Sequence, residues 1–150
     1  MPPVFQQLEA LFPHLAGTAY EKTSDEDGLY NCIAWAAGED DRWWEPGLPA
    51  DLGYYWPAGA SAGHDVACLI EAFETLGFER CDDGTLEAGI EKLAVYCSGA
   101  GAWTHAARQL PSGAWTSKLG ACEDIEHEHP DHLIGSDYGD VHCYMRRPRD

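Results

Sequence analysis

The sequence predicts an α+β fold in which N-terminal helices pack on a small antiparallel sheet, with residues 1–150 forming a single domain. Helical patterns occupy the first half of the chain, where apolar residues recur at three- and four-residue spacing. Strand patterns joined by short, turn-rich connections occupy the second half, from Lys92 onward. A run of helices followed by a run of strands is typical of the α+β class.

Three helices are expected before the sheet. The first covers Val4–Leu11 and ends at Pro13, because proline cannot continue a helix. The second covers Tyr30–Gly38, with Asn31 as an N-cap whose side-chain oxygen accepts a backbone N–H. The third and longest covers Ser61–Leu76, where apolar residues repeat at helical spacing.

The segments His14–Gly28, Glu39–Pro57 and Phe78–Gly84 are expected to be loops, and Glu39–Pro57 is unusually rich in aromatic residues and proline. Since aromatic side chains bury large areas, one interpretation of this segment is a flap over the core. The other interpretation is one wall of a substrate cleft. The aromatic residues concerned are Trp43, Trp44, Tyr54, Tyr55 and Trp56.

The predicted sheet has four strands, at Lys92–Cys97, Thr104–Leu110, Ala114–Leu119 and Val141–Arg147. The first three form two consecutive hairpins, because the connections between them are short and rich in turn residues. The segment Glu123–Ile134 is acidic and rich in histidine, and it is expected to be a loop with one helical turn.

The chain carries 26 acidic and 9 basic residues, which gives a formal net charge of −17. Phosphate recognition requires clustered lysine and arginine, so the charge argues against nucleic-acid and anionic-membrane partners. It favours solubility or a basic partner protein. No apolar run approaches the ~20 residues that span a bilayer, and no secretory signal is recognisable, so a cytoplasmic location is expected. An effector exported by a signal-independent route would have the same features.

The chain has six cysteines, and none of them forms a C-x-x-C pair, which argues against a zinc knuckle or a thioredoxin motif. The even number is compatible with disulfides, although a cytoplasmic location favours free thiols. The cysteines are Cys32, Cys68, Cys81, Cys97, Cys122 and Cys143.

Cys32 lies in the first turn of the second predicted helix, where unpaired backbone N–H groups and the positive end of the helix dipole converge. This position stabilises a thiolate, the reactive form of cysteine. The alternative is a small buried apolar residue, since free cysteine is among the most buried residue types.

Nucleophilic cysteine catalysis also needs a base and a group that orients this base. His105 lies near the start of the central predicted strand, and Ser117 lies twelve positions later, across a short hairpin. The candidate catalytic residues are therefore Cys32, His105 and Ser117.

The order of these residues resembles that of papain-like cysteine hydrolases, in particular the compact bacterial branch of cell-wall peptidases and amidases. In this group a helix-start cysteine is followed by a histidine on an antiparallel strand and a polar third residue on the next strand. The sequence resembles a family of uncharacterised bacterial proteins more closely, and this resemblance extends over roughly residues 28–147. The segments that carry this resemblance are Tyr30–Ala36, His105–Pro111, Trp115–Gly120 and Asp124–His127.

The resemblance implies that Cys32 is the nucleophile, that His105 is the general base and acid, and that Ser117 orients His105. The backbone N–H of Cys32 would help to bind the oxyanion. Two positions depart from the pattern. Ser117 stands where active relatives more often carry His, Asn, Asp or Gln, and Ile33 stands where cell-wall enzymes usually carry a small polar residue.

The histidine-rich segment contains the residue types of a metal site. Pro130 interrupts its helical spacing and no H-E-x-x-H pattern is present, so an exposed acidic loop is favoured. Neither a metal nor another cofactor is expected. The residues concerned are His127, His129 and His132, with Glu126, Glu128 and Asp131.

Two functions are compatible with these observations. The first is a cysteine hydrolase or acyltransferase that acts on a peptide or amide substrate, for example as a bacterial effector. The second is a non-catalytic acidic binding or immunity-type protein of the same fold, whose charge would steer it to a basic partner. The pairing of Cys32 with His105 favours the first function, and the serine at position 117 favours the second.

Overall fold

The computed structural model describes residues 8–25, 27–119 and 123–149. Seven of its strands form one antiparallel sheet in the order β1-β8-β7-β6-β5-β9-β4, and β2 and β3 form a separate parallel pair. The strands are β1 (Tyr20–Lys22), β2 (Trp43–Trp44), β3 (Tyr54–Tyr55), β4 (Glu79–Cys81), β5 (Ile90–Cys97), β6 (Trp103–Gln109), β7 (Trp115–Lys118), β8 (Asp124–His127) and β9 (Asp140–Pro148).

The described helices are short, and none of them has the length and apolar character needed to cross a membrane. The helices are α1 (residues 8–11), α2 (Cys32–Ala36) and α3 (Val66–Glu74), with 3₁₀ turns at Pro13–Leu15, Ala50–Leu52 and Pro130–Leu133.

The predicted α+β fold, papain-like with N-terminal helices packed on a small antiparallel sheet, is wrong. The described residues form a β-rich fold. Its main element is the seven-stranded sheet, on which only short helices pack. Three of the seven strands, β1, β4 and β8, lie in segments expected to be loops. Each has only three or four residues, too few for a recognisable alternation of apolar and polar side chains.

The four predicted strands are confirmed as β5, β6, β7 and β9, with ends that shift by one or two residues. The two predicted hairpins are also confirmed, because β6 pairs antiparallel with β5 on one side and with β7 on the other. The additional strand β8 extends this meander by pairing with β7.

The helices are shorter in the structure than the sequence predicts. α3 begins at Val66, because the Asp65 carboxylate accepts the N–H of Ala67 at 3.0 Å and acts as the N-cap. In the first predicted helix, residues 8–11 are helical and residues 4–7 lie outside the described residues.

Asn31 is confirmed as the N-cap of α2, and it also joins this helix to β2. Its Oδ1 accepts the N–H of Ala34 at 3.0 Å and the N–H of Trp44 at 3.2 Å. Its Nδ2 donates to the carbonyl of Trp44 at 2.7 Å. Trp44 is fully buried, so these bonds anchor the segment that follows α2 in the core.

The main sheet separates two apolar clusters, because consecutive residues of a strand point to opposite faces. We call one face the helix face; it carries Leu93, Val95 and Ala106 and is covered by α2 and α3. The opposite face carries Ala94 and Tyr96 and is covered by residues of α1 and of the first and third 3₁₀ turns. The face of the sheet on which a side chain lies therefore determines which residues it can contact.

Candidate functional site

The three predicted catalytic residues do not come together. His105 and Ser117 lie on the opposite face, and 3.0 Å separates His105 Nε2 from Ser117 Oγ. Cys32 lies in the cluster on the helix face, where the backbone N–H of Ala106 faces its sulfur. Since Ala106 contributes its side chain to that same cluster, the neighbouring His105 points away from Cys32. No hydrogen bond joins Cys32 to His105 in the described ranges.

Cys32 is in an environment that keeps its thiol protonated. Its residue exposure is 7 %. Burial raises the pKa of Cys32 to about 12, and the N–H groups of Ala106 and Ile33 offset this effect only in part. The negative charge of Glu45 raises the pKa further. These features match the buried apolar alternative for Cys32, since reactive cysteines require a stabilised thiolate.

His105 belongs instead to a hydrogen-bonded chain of three side chains, one each from β6, β7 and β8. Ser117 Oγ lies 2.8 Å from His127 Nε2 and 3.0 Å from His105 Nε2. His127 Nδ1 lies 3.1 Å from the carbonyl oxygen of His129, an acceptor, so we assign the ring proton of His127 to Nδ1. His127 Nε2 then accepts from the Ser117 hydroxyl, and that hydroxyl accepts from His105 Nε2–H.

This assignment leaves His105 Nδ1 as an acceptor, and it has no hydrogen-bond partner among the residues that the structure describes. The His105 ring stacks on Tyr138 with centroids 4.1 Å apart and meets the edge of Tyr96 at 5.1 Å. Burial, with a smaller effect of the nearby His127, holds the pKa of His105 well below its usual range. Burial also lowers the pKa of His127 to about 4.

The chain of His105, Ser117 and His127 is neutral near pH 7 and fully enclosed. It can hold three strands in register, and its three residues are at most 1 % exposed. The sequence alone does not link His127 to His105 and Ser117, because β8 lies in a segment that is expected to be a loop. The antiparallel pairing of Asp124–His127 with β7 places His127 beside Ser117, and these four residues are too few for an alternation that would reveal the strand.

The other histidines of this segment do not assemble a metal centre. The rings of His129 and His132 are 6.0 Å apart, and His129 Nδ1 accepts the N–H of Asp131. Within the described part of the chain, no three histidine, cysteine or acidic side chains are arranged to hold a metal ion. Cys122 lies outside the described residues, and the other five cysteines are free thiols.

An open surface with exposed apolar side chains is formed by residues just before α2 and by the segment that follows it. A groove of about 440 Å³ is lined there by Leu29, Leu48 and Leu52, with Trp43 and Tyr54 half-buried beside them. The three leucines are 58 %, 47 % and 71 % exposed. They are three of only five large apolar side chains that are exposed in the described residues. We call this surface the leucine groove.

Carboxylates outnumber cations along this segment. Between residues 39 and 54 the single basic residue is Arg42, which is bound by both oxygens of Glu39 at 2.6 and 3.0 Å. Glu45 lines the groove and binds His64 at 2.7 Å. Cys32 does not line the groove, so this segment does not form a wall of a cleft around the candidate nucleophile. The acidic residues of this segment are Glu39, Asp40, Asp41, Glu45 and Asp51.

Alkylation of the native protein tests the buried state of Cys32. At a pH of about 8, close to the ordinary thiol pKa, iodoacetamide should leave Cys32 unmodified while the half-buried Cys68 and Cys97 react. The reason is that Cys32 is both closed to the reagent and held as a thiol. Peptide mass spectrometry measures the extent at each site, with urea-unfolded protein as the control in which all thiols react. Preferential labelling of Cys32 in the native protein would contradict this description.

Acid unfolding tests the buried histidines. The folded protein keeps His127 neutral down to a pKa of about 4, whereas an unfolded histidine titrates near 6.5. The unfolded state therefore binds more protons below about pH 6.5, and stability falls as the pH drops from there toward about 4. At 1.36 kcal/mol per unit, His127 alone accounts for roughly 3 kcal/mol of this loss.

Urea unfolding at a series of pH values measures this loss. His127→Gln should reduce the dependence of the unfolding free energy on pH. Part of this dependence should remain in the variant, because the pKa of His105 is lowered as well. His142→Gln, at an exposed position, removes one histidine as the matched control and should keep the wild-type slope. Equal slopes for all three proteins would refute the assignment.

Comparison with known proteins gives one match. The model of a domain of unknown function, DUF7689, matches residues 21–146. No curated protein and no solved structure matches the chain. The matched residues include α2, α3, the leucine groove and nearly all of the sheet. Because the match extends over most of the chain, the protein belongs to the DUF7689 family.

Proposed function

We propose that this protein is a non-catalytic binding protein that recognises a basic partner protein through the leucine groove. The observation that carries the proposal is the clustering of Leu29, Leu48 and Leu52 at one open surface. Single exposed apolar side chains are ordinary, but a contiguous patch rimmed by polar groups marks an interaction site. The remaining exposed leucines, Leu11 and Leu86, do not line this groove.

The wall of the groove is held rigidly before any partner arrives. Trp44 is fully buried beneath it, and its indole N–H donates to Glu39 at 2.8 Å. The same Glu39 binds Arg42, whose guanidinium lies 3.5 Å from the centroid of the Tyr55 ring. A preformed surface loses less conformational entropy on binding, which leaves more of the contact energy for affinity.

The charge around the groove favours a basic partner. Arg42 is already bound by Glu39, so the carboxylates of Asp40, Asp41 and Asp51 face no unengaged cation within this segment. The whole chain has a net charge of −17. Complementary charge raises the rate of association and disfavours acidic competitors, nucleic acids included.

The hydrolase alternative has less support. Its nucleophile would be Cys32, which is protonated and faces away from the proposed base His105. Ser117 forms a hydrogen bond with His105, but both side chains are buried on the opposite face of the sheet. A cytoplasmic location is part of the proposal, since that compartment keeps thiols such as the five described cysteines reduced.

Replacement of groove leucines tests the proposed function. The probe is an amphipathic helical peptide with leucine on one face and lysine on the other, titrated by calorimetry against the intact protein. The double variant Leu48→Ser/Leu52→Ser should lower the affinity at least about tenfold, since it removes apolar contact equivalent to roughly 1.4 kcal/mol or more. Higher salt should also weaken binding, because part of the attraction is between exposed charges.

The matched control is Leu11→Ser/Leu86→Ser, which removes two leucines that are 49 % and 46 % exposed outside the groove. This variant should bind the peptide as the wild type does. The proposal would be refuted if the two double variants lost the same amount of affinity for the peptide. It would also be refuted if an equivalent glutamate peptide bound as tightly as the lysine peptide.

A further inference from the structure

We propose that the leucine groove contains an arginine-binding site formed by Trp43, Tyr54 and Glu45. The inference rests on the proposed function and specifies the residue by which the basic partner is anchored. All three side chains line the groove beside the exposed leucines. Together they provide two aromatic faces and a carboxylate, which are the groups that bind a guanidinium.

The rings of Trp43 and Tyr54 are both half-buried where they line the groove. Across the described residues, neither side chain takes part in a ring contact, a cation–π contact or a hydrogen bond. The next residues of the same strands are fully engaged, since Trp44 and Tyr55 contact each other at 4.9 Å and Tyr55 also meets Arg42. Two aromatic rings left half-buried and unpartnered, side by side, point to a ligand that covers them.

The backbone places these groups together. Trp43 and Tyr54 are register partners on the parallel strands β2 and β3, so their side chains are neighbours on one face. Glu45 follows Trp43 by two residues, and side chains at this spacing project to the same side of an extended chain. His64 engages only Oε2 of Glu45, at 2.7 Å. The other carboxylate oxygen, Oε1, has no partner in the described part of the chain.

The protein contains a complete example of this arrangement one residue away. Arg42 lies over the ring of Tyr55 at 3.5 Å, and Glu39 binds its guanidinium through two oxygens at 2.6 and 3.0 Å. The groove offers the same combination of aromatic face and carboxylate without an arginine from this chain. A guanidinium suits it better than an ammonium, because its plane stacks on a ring while its N–H groups reach a carboxylate.

Three peptides test this site. Each has about 14 residues, enough for nearly four helical turns, with leucine on one face and arginine, lysine or neutral citrulline on the other. Fluorescence anisotropy should give an affinity for the arginine peptide about three- to tenfold higher than for the lysine peptide, with the citrulline peptide weakest. In Trp43→Leu/Tyr54→Leu and in Glu45→Gln, the difference between arginine and lysine should disappear.

Asp51→Asn is the matched control for charge. It removes one carboxylate of the same segment outside the aromatic pair, so it should weaken the arginine and lysine peptides by the same factor. Equal affinities of these two peptides for the wild type, or a difference that survives in both aromatic and Glu45 variants, would overturn the arginine site. If both peptides still bind and Leu48→Ser/Leu52→Ser weakens them equally, the proposed function stands without it. Absence of binding by all three peptides would overturn both.

Discussion

The hydrogen bonds of Asn31 are the constraint on which the leucine groove depends. A single primary amide caps α2 with its oxygen and joins the backbone of Trp44 with both its oxygen and its nitrogen. Asparagine can do this because it carries a donor and an acceptor on one short side chain. With Trp44 fixed in the core, the alternation of the extended chain turns Trp43 and Glu45 outward. The groove is thus a consequence of how the core is closed.

The same alternation explains why Cys32 and His105 do not form a site together. Ala106 faces Cys32 across the packing between α2 and β6, so its neighbour His105 enters the other cluster. There His105 meets Ser117 and His127 in a neutral chain of hydrogen bonds. A buried polar network costs little when its members are bonded, and it disfavours other registers of the strands that supply them. These three hydrogen-bonded side chains therefore contribute to the specificity of strand pairing in the sheet.

Local signals in the sequence were sufficient for part of the fold. The cap at Asn31 and the turns between β5, β6 and β7 depend on neighbouring residues, and they were predicted correctly. The edge strands β1 and β4 pair with strands distant in the chain, and β8 has only four residues, so their sequences carry little sign of them. Without β8, His127 remained in a loop and the fold class was wrong.

The candidate site shows the same division. The contact of His105 with Ser117 follows from the hairpin of β6 and β7, which the sequence indicates. The separation of Cys32 from His105 depends on which face of the sheet α2 covers, a tertiary property with no local signal. The aromatic density of residues 39–57 drew attention to that segment. The exposure of Leu48 and Leu52 depends on how the segment folds over Trp44, and it was not predictable.

The binding function is tested most directly by NMR, which maps where a basic amphipathic peptide binds the intact, isotope-labelled protein. Binding in the leucine groove should shift the backbone amides of residues 43–54 and the indole N–H of Trp43, with little change at His105 and Ser117. Such shifts should fade in Leu48→Ser/Leu52→Ser. Shifts centred on Cys32 and His105, or a spectrum unchanged at saturating peptide, would contradict a binding function for the leucine groove.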